Sequence, residues 1–340
     1  MRVHITNVYG LGGTAGKAMQ KVTDIAKNTL HYNELGIYHY PFGADSSEML
    51  RTRIDGILAS VRHGDTVIFQ SPTWNDIRFD EAFIKQLNAY GGLRKIFFIH
   101  DVPPLMFENG RDGLKRYISL YNQANLVIVP SQAMADFLCL NGLEVKNIII
   151  QQMWDLPIST DEMVTPNFQR KMHFIANVSS VYRPFVRNWN YDTVQLSVTA
   201  KESDCEWARG KNIGFIGWFS NDELLANELR KSGGFGLVWH DDSWWVEYMK
   251  LNASYKIGTY LAAGIPVIVS SSKAEKDIIL HKNLGLVVDS LDEAVAKVKS
   301  MTEEQYNQMK RNVDEFGKLL RGGYFTKKLL TDAVFQMIYG

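Results

Sequence analysis

Cysteine is almost absent: Cys139 and Cys205 are the only two in 340 residues. They lie far apart and without metal-ligand spacing, which argues against a disulfide scaffold and a zinc site. Net charge is absent as well. Lys and Arg number 37, Asp and Glu 37, so no overall field draws the chain to nucleic acid or anionic lipid. No apolar run reaches the roughly 20 residues that a membrane-spanning helix needs. The start, MRVHITNVYG, lacks the basic and then apolar stretch of a secretory leader. These absences lead to the expectation of a cytoplasmic protein with no nucleic-acid partner and no transmembrane segment. What is present, 340 residues of which 46% are hydrophobic, suits two domains, each long enough to bury a core.

Apolar strand-like runs at 3–8, 36–40, 66–70, 95–99, 126–129 and 147–151 alternate with helical stretches. The same alternation begins again near residue 172. Strands separated by helices predict right-handed crossovers and parallel sheets covered on both faces, an α/β architecture. Between the halves, 153–170 carries Pro157, Ser159, Thr160, Asp161, Glu162 and Pro166 without sustained periodicity and reads as a linker. The expected division is a first domain over 1–152, the linker, a second domain over 171–322, and a final helix over 323–340 after Gly322-Gly323.

Candidate chemistry in the first half lies at two strand ends. Tyr9-Gly10-Leu11-Gly12-Gly13-Thr14 leads into a helix over about 15–30, and such a turn lets backbone N–H groups approach a ligand. The dinucleotide fingerprint fits only in its variant with Ala15 in the third glycine's place, and no acid ends the second strand. The phosphate-loop pattern needs Gly where Leu11 stands. A tight turn without a ligand fits the same residues. The strand over 95–99 delivers His100 and Asp101 onto the loop HDVPPLMFENG. There Pro103 and Pro104 stiffen the chain, and Leu105, Met106 and Phe107 form an apolar tip before Glu108. His100 and Asp101 are candidates for a general base, or for pins that hold the loop.

In the second half, Arg183 in VSSVYRPFVRNW is a candidate clamp on paired phosphate oxygens, or a surface arginine paired with a carboxylate. Gly217-Trp218 ends a strand, and the tryptophan suits a ligand or the core. Asp241-Asp242 in the loop HDDSWW is half of an Asp-x-Asp metal motif. Trp218, Trp239, Trp244, Trp245 and Tyr248 form an aromatic crowd that suits sugars, core and subunit contacts alike. The segment NASYKIGTYLAAGIPVIV, at 252–269, starts polar, turns apolar at helical spacing through Ile257, Tyr260 and Leu261, and stops at Gly264 before Pro266. It reads as helix, C-cap and buried strand. Its first turn groups Ser254, Tyr255 and Lys256, with Thr259 behind, and offers a diphosphate N–H donors, a hydroxyl and an ammonium.

The order Ser-Tyr-Lys, then Thr-Tyr-Leu-Ala-Ala-Gly, then Pro-Val-Ile resembles the nucleotide-sugar segment of GT-B glycosyltransferases. ANLVIVPSQAMADFL resembles another of their segments, in which a strand ends in Pro-Ser before a helix. The resemblance implies two Rossmann-like domains facing a central cleft, with the C-terminal helix crossing back to the first. It implies that Ser254, Tyr255 and Lys256 receive the donor's diphosphate and that the loop at Gly217 and Trp218 accepts the base. Gly12, Gly13 and Thr14 would face donor phosphate or sugar. Thr259 stands where many members carry a Glu for the donor ribose. With Arg183 and Lys256 supplying charge, the expectation is no metal and no cofactor. VYGLGGTAGKAM, HDVPPLMF and the stretch from WHDDSWW to AAGIPVIV are similar to the streptococcal glucosyltransferases that act second on serine-rich-repeat adhesins. That implies transfer of glucose from UDP-glucose to N-acetylglucosamine on Ser or Thr of the adhesin, inside the cell, by a homo-oligomer, a dimer or tetramer. One alternative is a galactofuranosyl- or hexosyltransferase for wall or capsule polysaccharide. The alternative from another class is a non-catalytic GT-B subunit that binds a glycoprotein, against which Lys256 and Arg183 speak.

Overall fold

The computed structural model describes every residue except Glu108, Asn109, Glu162, Met163, Ser180 and Tyr182. The end of the loop after residue 100 and Glu162 of the expected linker therefore lie outside the described residues. The chain forms two compact units. One comprises Met1–Gln152, Leu251–Ala253 and Phe325–Gly340, the other Met153–Lys250 and Ser254–Tyr324.

The first unit runs β1 (Val3–Tyr9), α1 (Gly13–Leu30), β2 (Asn33–Tyr38), α2 (Ser47–Leu58), β3 (Thr66–Ser71), α3 (Ile77–Leu87), β4 (Arg94–Ile99), α4 (Pro103–Met106), α5 (Leu114–Tyr121), β5 (Leu126–Val129), α6 (Gln132–Leu140) and β6 (Ile148–Ile150). Its six strands pair in parallel in the order β2-β1-β3-β4-β5-β6. β3 and β5 are buried along their whole length, as central strands of a sheet covered on both faces must be. Pro103 and Pro104 do more than stiffen a loop: they open the single turn α4, because proline's missing N–H costs nothing at a helix start.

The second unit runs β7 (Lys171–Phe174), α7 (Pro184–Arg187), β8 (Gln195–Val198), β9 (Ile213–Phe215), α8 (Asp222–Ser232), β10 (Phe235–Val238), α9 (Ser243–Met249), α10 (Tyr255–Ala262), β11 (Val267–Ser270), α11 (Lys276–His281), β12 (Gly285–Val288), α12 (Leu291–Ser300) and α13 (Glu303–Arg321). Its sheet is again parallel, in the order β12-β11-β10-β7-β8-β9. The last helix, α14 (Tyr324–Tyr339), lies with the first unit from Phe325 onward. There the Tyr32 hydroxyl donates to the Leu330 carbonyl (3.5 Å) and Arg94 Nε to that of Met337 (3.1 Å). The stretch 153–170 starts as packed chain, with Met153, Trp154 and Leu156 buried in the second unit.

Two differences from the sequence reading affect the site. HDDSWW is not all loop, since the Asp242 carboxylate accepts from the Trp244 N–H (3.1 Å) and starts α9 there. α10 begins at Tyr255 with Ser254 at its N-cap, and Ser254 makes no side-chain cap bond. The predicted stop holds: the Gly264 N–H donates to Leu261 (3.0 Å) and the Ile265 N–H to Tyr260 (2.9 Å), with Gly264 at φ +81. That is a Schellman ending, which favours glycine at its left-handed position. Arg230 and Arg321 donate to the carbonyls of Ala263 (3.1 Å) and Ala262 (2.7 Å), placing positive charge at the negative end of the helix.

Candidate active site

In an open α/β sheet, ligands bind at the carboxyl ends of the strands where the strand order reverses. In the second unit that point lies between β7 and β10. The loop after β7 carries Arg183, β10 leads into His240 and Asp241, β11 leads into Lys273 and Glu275, and α10, between β10 and β11, starts at Ser254.

The seat of α10 fixes this arrangement. The Tyr260 ring lies on Gly236 of β10, where a Cβ would fall 2.1 Å from the ring. Its hydroxyl donates to the His173 carbonyl at the end of β7 (2.6 Å) and accepts from the Ile175 N–H (2.9 Å). One buried side chain thus ties the helix to both strands of the switch point. At the helix start, the Glu275 carboxylate accepts from the Ser254 N–H. Glu275 also pairs with Lys273 (2.9 Å), both side chains only 3% exposed, and Lys273 Nζ donates to the Met249 carbonyl (3.0 Å). Hydrogen bonds to the Ser254 N–H and the Met249 carbonyl offset part of the cost of burying such a pair.

Lys256 and Arg183 are different. Neither makes an ion pair among the described residues, and Arg183 Nε is buried without a hydrogen-bond partner there. Burial first, then the charges of Arg183 and Lys273, pushes the Lys256 ammonium down to about 8. Burial also lowers Arg183, opposed by the charges of Asp242 and Asp241. Burial, with Asp242 beside it, raises the Asp241 carboxyl. Half-buried His240 stacks on Trp245 (5.7 Å between centroids, 22° between planes). Burial and the charges of Lys256, Arg183 and Lys273 push its imidazole down to about 3. Two cations without ion pairs among the described residues, beside a neutral imidazole, form a site suited to an anion.

The other sequence candidates divide. Ser254 is brought to this cluster. The Tyr255 hydroxyl is buried and its ring packs on Trp154 (6.1 Å). Thr259 is 4% exposed and donates its hydroxyl to the Tyr255 carbonyl (3.1 Å), so it serves its own helix rather than presenting a donor to a ribose. Gly217 follows β9 at φ +83, and Trp218 is 64% exposed, so it does not fill the core. Among the described residues no group of three His, Cys, Asp or Glu is placed to hold a metal.

In the first unit the order reverses between β1 and β3. Gly12, Gly13 and Thr14 are exposed at the start of α1. After β3, Thr73 donates to Asp80 (2.5 Å), whose buried carboxyl is pushed up to about 7, and Asn75 bonds both Tyr38 and Tyr40. His100 is buried, and burial pushes its imidazole down to about 3. That makes it a poor proton acceptor. Asp101 is half-buried. Leu105 is buried and Phe107 exposed, so the apolar tip is only partly outward.

His240, Lys273 and Glu275 escaped the sequence reading. All three follow a buried strand, the signal that singled out His100, but Lys273 and Glu275 stand after a run of serines with no motif around them.

Two parallel sheets, each with its own switch point, make two Rossmann-like domains, and with the family matches given below the chain is a glycosyltransferase of the GT-B class. Solved structures of like fold include Anabaena Alr3699/HepE in complex with UDP and glucose (TM-score 0.66, 12% identical, 99% of this chain and 100% of that one) and the lipopolysaccharide outer core galactosyltransferase WaaB (0.65, 13%, 99% and 100%). Residues 2–153 match the Glucosyltransferase 3-like N-terminal domain and 172–333 its C-terminal domain, and the chain belongs to this family. It is 45% identical to Glucosyltransferase 3 of Streptococcus gordonii, covering 99% of this chain and 100% of that one, and 42% identical to Glucosyltransferase 3 of Streptococcus parasanguinis, covering 99% of each. It is 23% identical to the Beta-1,6-galactofuranosyltransferase WbbI of Escherichia coli strain K12, over 94% and 93%. The protein is a hexosyltransferase. No helix among the described residues is long and apolar enough to cross a membrane.

Proposed function

We propose that this enzyme transfers glucose from UDP-glucose to N-acetylglucosamine already linked to Ser or Thr of a serine-rich-repeat adhesin, in the cytoplasm and without a metal. The observation that carries the donor half is the pair Arg183 and Lys256, without ion pairs among the described residues at the switch point of the second sheet. A diphosphate supplies the missing negative charge, and the start of α10 adds backbone donors. The names of the streptococcal relatives support glucose. The acceptor rests on the sequence resemblance to adhesin-modifying glucosyltransferases.

In the reaction, the acceptor hydroxyl oxygen bonds to the anomeric carbon while the bond from that carbon to the UDP oxygen breaks. The cations stabilise the charge on the departing diphosphate, and a base takes the acceptor proton. Asp101 is the base in this reading, since burial leaves His100 with little proton affinity.

The test is incubation with UDP-glucose, UDP-galactose, UDP-galactofuranose and UDP-N-acetylglucosamine, each with a Ser-linked N-acetylglucosamine peptide and with the bare peptide. The expected product gains one hexose from UDP-glucose on the sugar-bearing peptide alone. Efficient transfer from UDP-galactofuranose, as the name of the E. coli relative suggests for that protein, or transfer to bare peptide, overturns the assignment.

A further inference from the structure

Three features of His240 are left unused by a site made only for phosphate. It follows β10, one of the two strands that flank the switch point of the second sheet. Its ring is backed by the indole of Trp245, which in turn meets Tyr248 edge-on (5.8 Å). Neither ring nitrogen has a hydrogen-bond partner among the described residues. A half-buried imidazole without a partner loses hydrogen bonds that water or a ligand must return.

The kind of ligand follows from charge. Lys256, Arg183 and Lys273 act on His240 from the start of α10, the loop after β7 and the loop after β11. Together with burial they keep the ring neutral. A neutral imidazole offers one N–H donor and one acceptor nitrogen. Phosphate oxygens only accept, and the cations already serve them. A hexose hydroxyl both donates and accepts, and a ring held flat against an indole presents its edge in a fixed direction.

Building on the UDP-glucose reading, we propose that His240, held by Trp245, binds the hydroxyls of the transferred hexose and selects the donor sugar. The cations bind the diphosphate, and His240 reads what is attached to it.

The test is calorimetry on the full chain, with UDP and UDP-glucose titrated into the wild type, His240→Ala and His240→Asn. The assignment expects His240→Ala to weaken UDP-glucose by roughly tenfold while UDP binds as in the wild type, which also shows that the variant is folded. His240→Asn, whose amide again donates and accepts, should recover part of the loss. Equal weakening of UDP and UDP-glucose would place His240 on the diphosphate and overturn the assignment. Unchanged binding of both would overturn it as well. If the wild type binds neither ligand, the donor reading itself fails, an outcome distinct from the other two.

Discussion

In the first unit the carboxyl ends of β1, β3 and β4 carry an exposed glycine turn, a polar loop pinned on Asp80, and buried His100 beside Asp101. In the second unit the corresponding region around β7, β10 and β11 carries Arg183, His240 and Lys273, with Lys256 on the helix between. Both sheets are parallel, six-stranded and reversed in order next to their first strand. The backbone plan is therefore the same, and the charge is not. Strand topology decides where a ligand site forms, and the side chains at the strand ends decide what it takes. In the proposed function the anionic donor goes to these cations on the second unit, and Asp101 on the first takes the acceptor proton.

The sharpest way to break this contrast is to remove proton transfer alone. Asp101→Asn should lower turnover by about two to four orders of magnitude while UDP affinity and melting temperature stay near wild type. His100→Ala should instead lower the melting temperature, because it opens a cavity in a packed region. Its turnover, once folded, should stay within a few fold. If His100→Ala slows transfer as much as Asp101→Asn at unchanged stability, the base has been assigned to the wrong residue.

A smaller effect is expected on the other unit. Lys256→Ala should weaken UDP by about tenfold or more, the loss of a charge-assisted contact of about 1.5–3 kcal/mol. Because the ammonium stands at about 8 in the free protein, it is charged below that pH and loses its proton above it. A bound diphosphate favours the charged form. UDP affinity should therefore fall as pH rises through about 8, and Lys256→Ala should flatten the fall. A titration in which wild type and variant respond alike to pH would separate Lys256 from the anion.

The smallest expected effect is none. Turnover in excess chelator should match untreated enzyme if, as proposed, Arg183 and Lys256 balance the diphosphate. A complete loss restored by a divalent ion would move Asp241 and Asp242 into the site and erase the contrast between a cationic strand end and one without cations at its candidate residues.

Much of the backbone plan was legible in the chain. Val127 and its neighbours form a short apolar run that only a covered strand can use, and Gly264 before Pro266 marks a helix ending that the hydrogen bonds of Ile265 and Gly264 complete. Lys256 at the start of α10 was equally legible, because N–H donors and a nearby cation are local properties of a helix start. The environments of these residues were not. Thr259 looked available and is buried on its own helix, Trp218 suited a ligand or the core and is exposed, and His100 looked like a base until burial lowered its proton affinity.

By itself, then, the sequence determined the alternation of strands and helices, the helix stop at Gly264 and the family to which the chain belongs, since each depends on neighbouring residues or on their order. Only the tertiary structure decided that Glu275 holds the Ser254 N–H, that Tyr260 locks α10 across β7 and β10, and that the charges of three cations act on His240. The physical reason is distance along the chain. Arg183, His240, Lys256 and Lys273 are far apart in sequence, and their charges act on one another only once the folded sheet gathers the segments that carry them at the carboxyl ends of its strands.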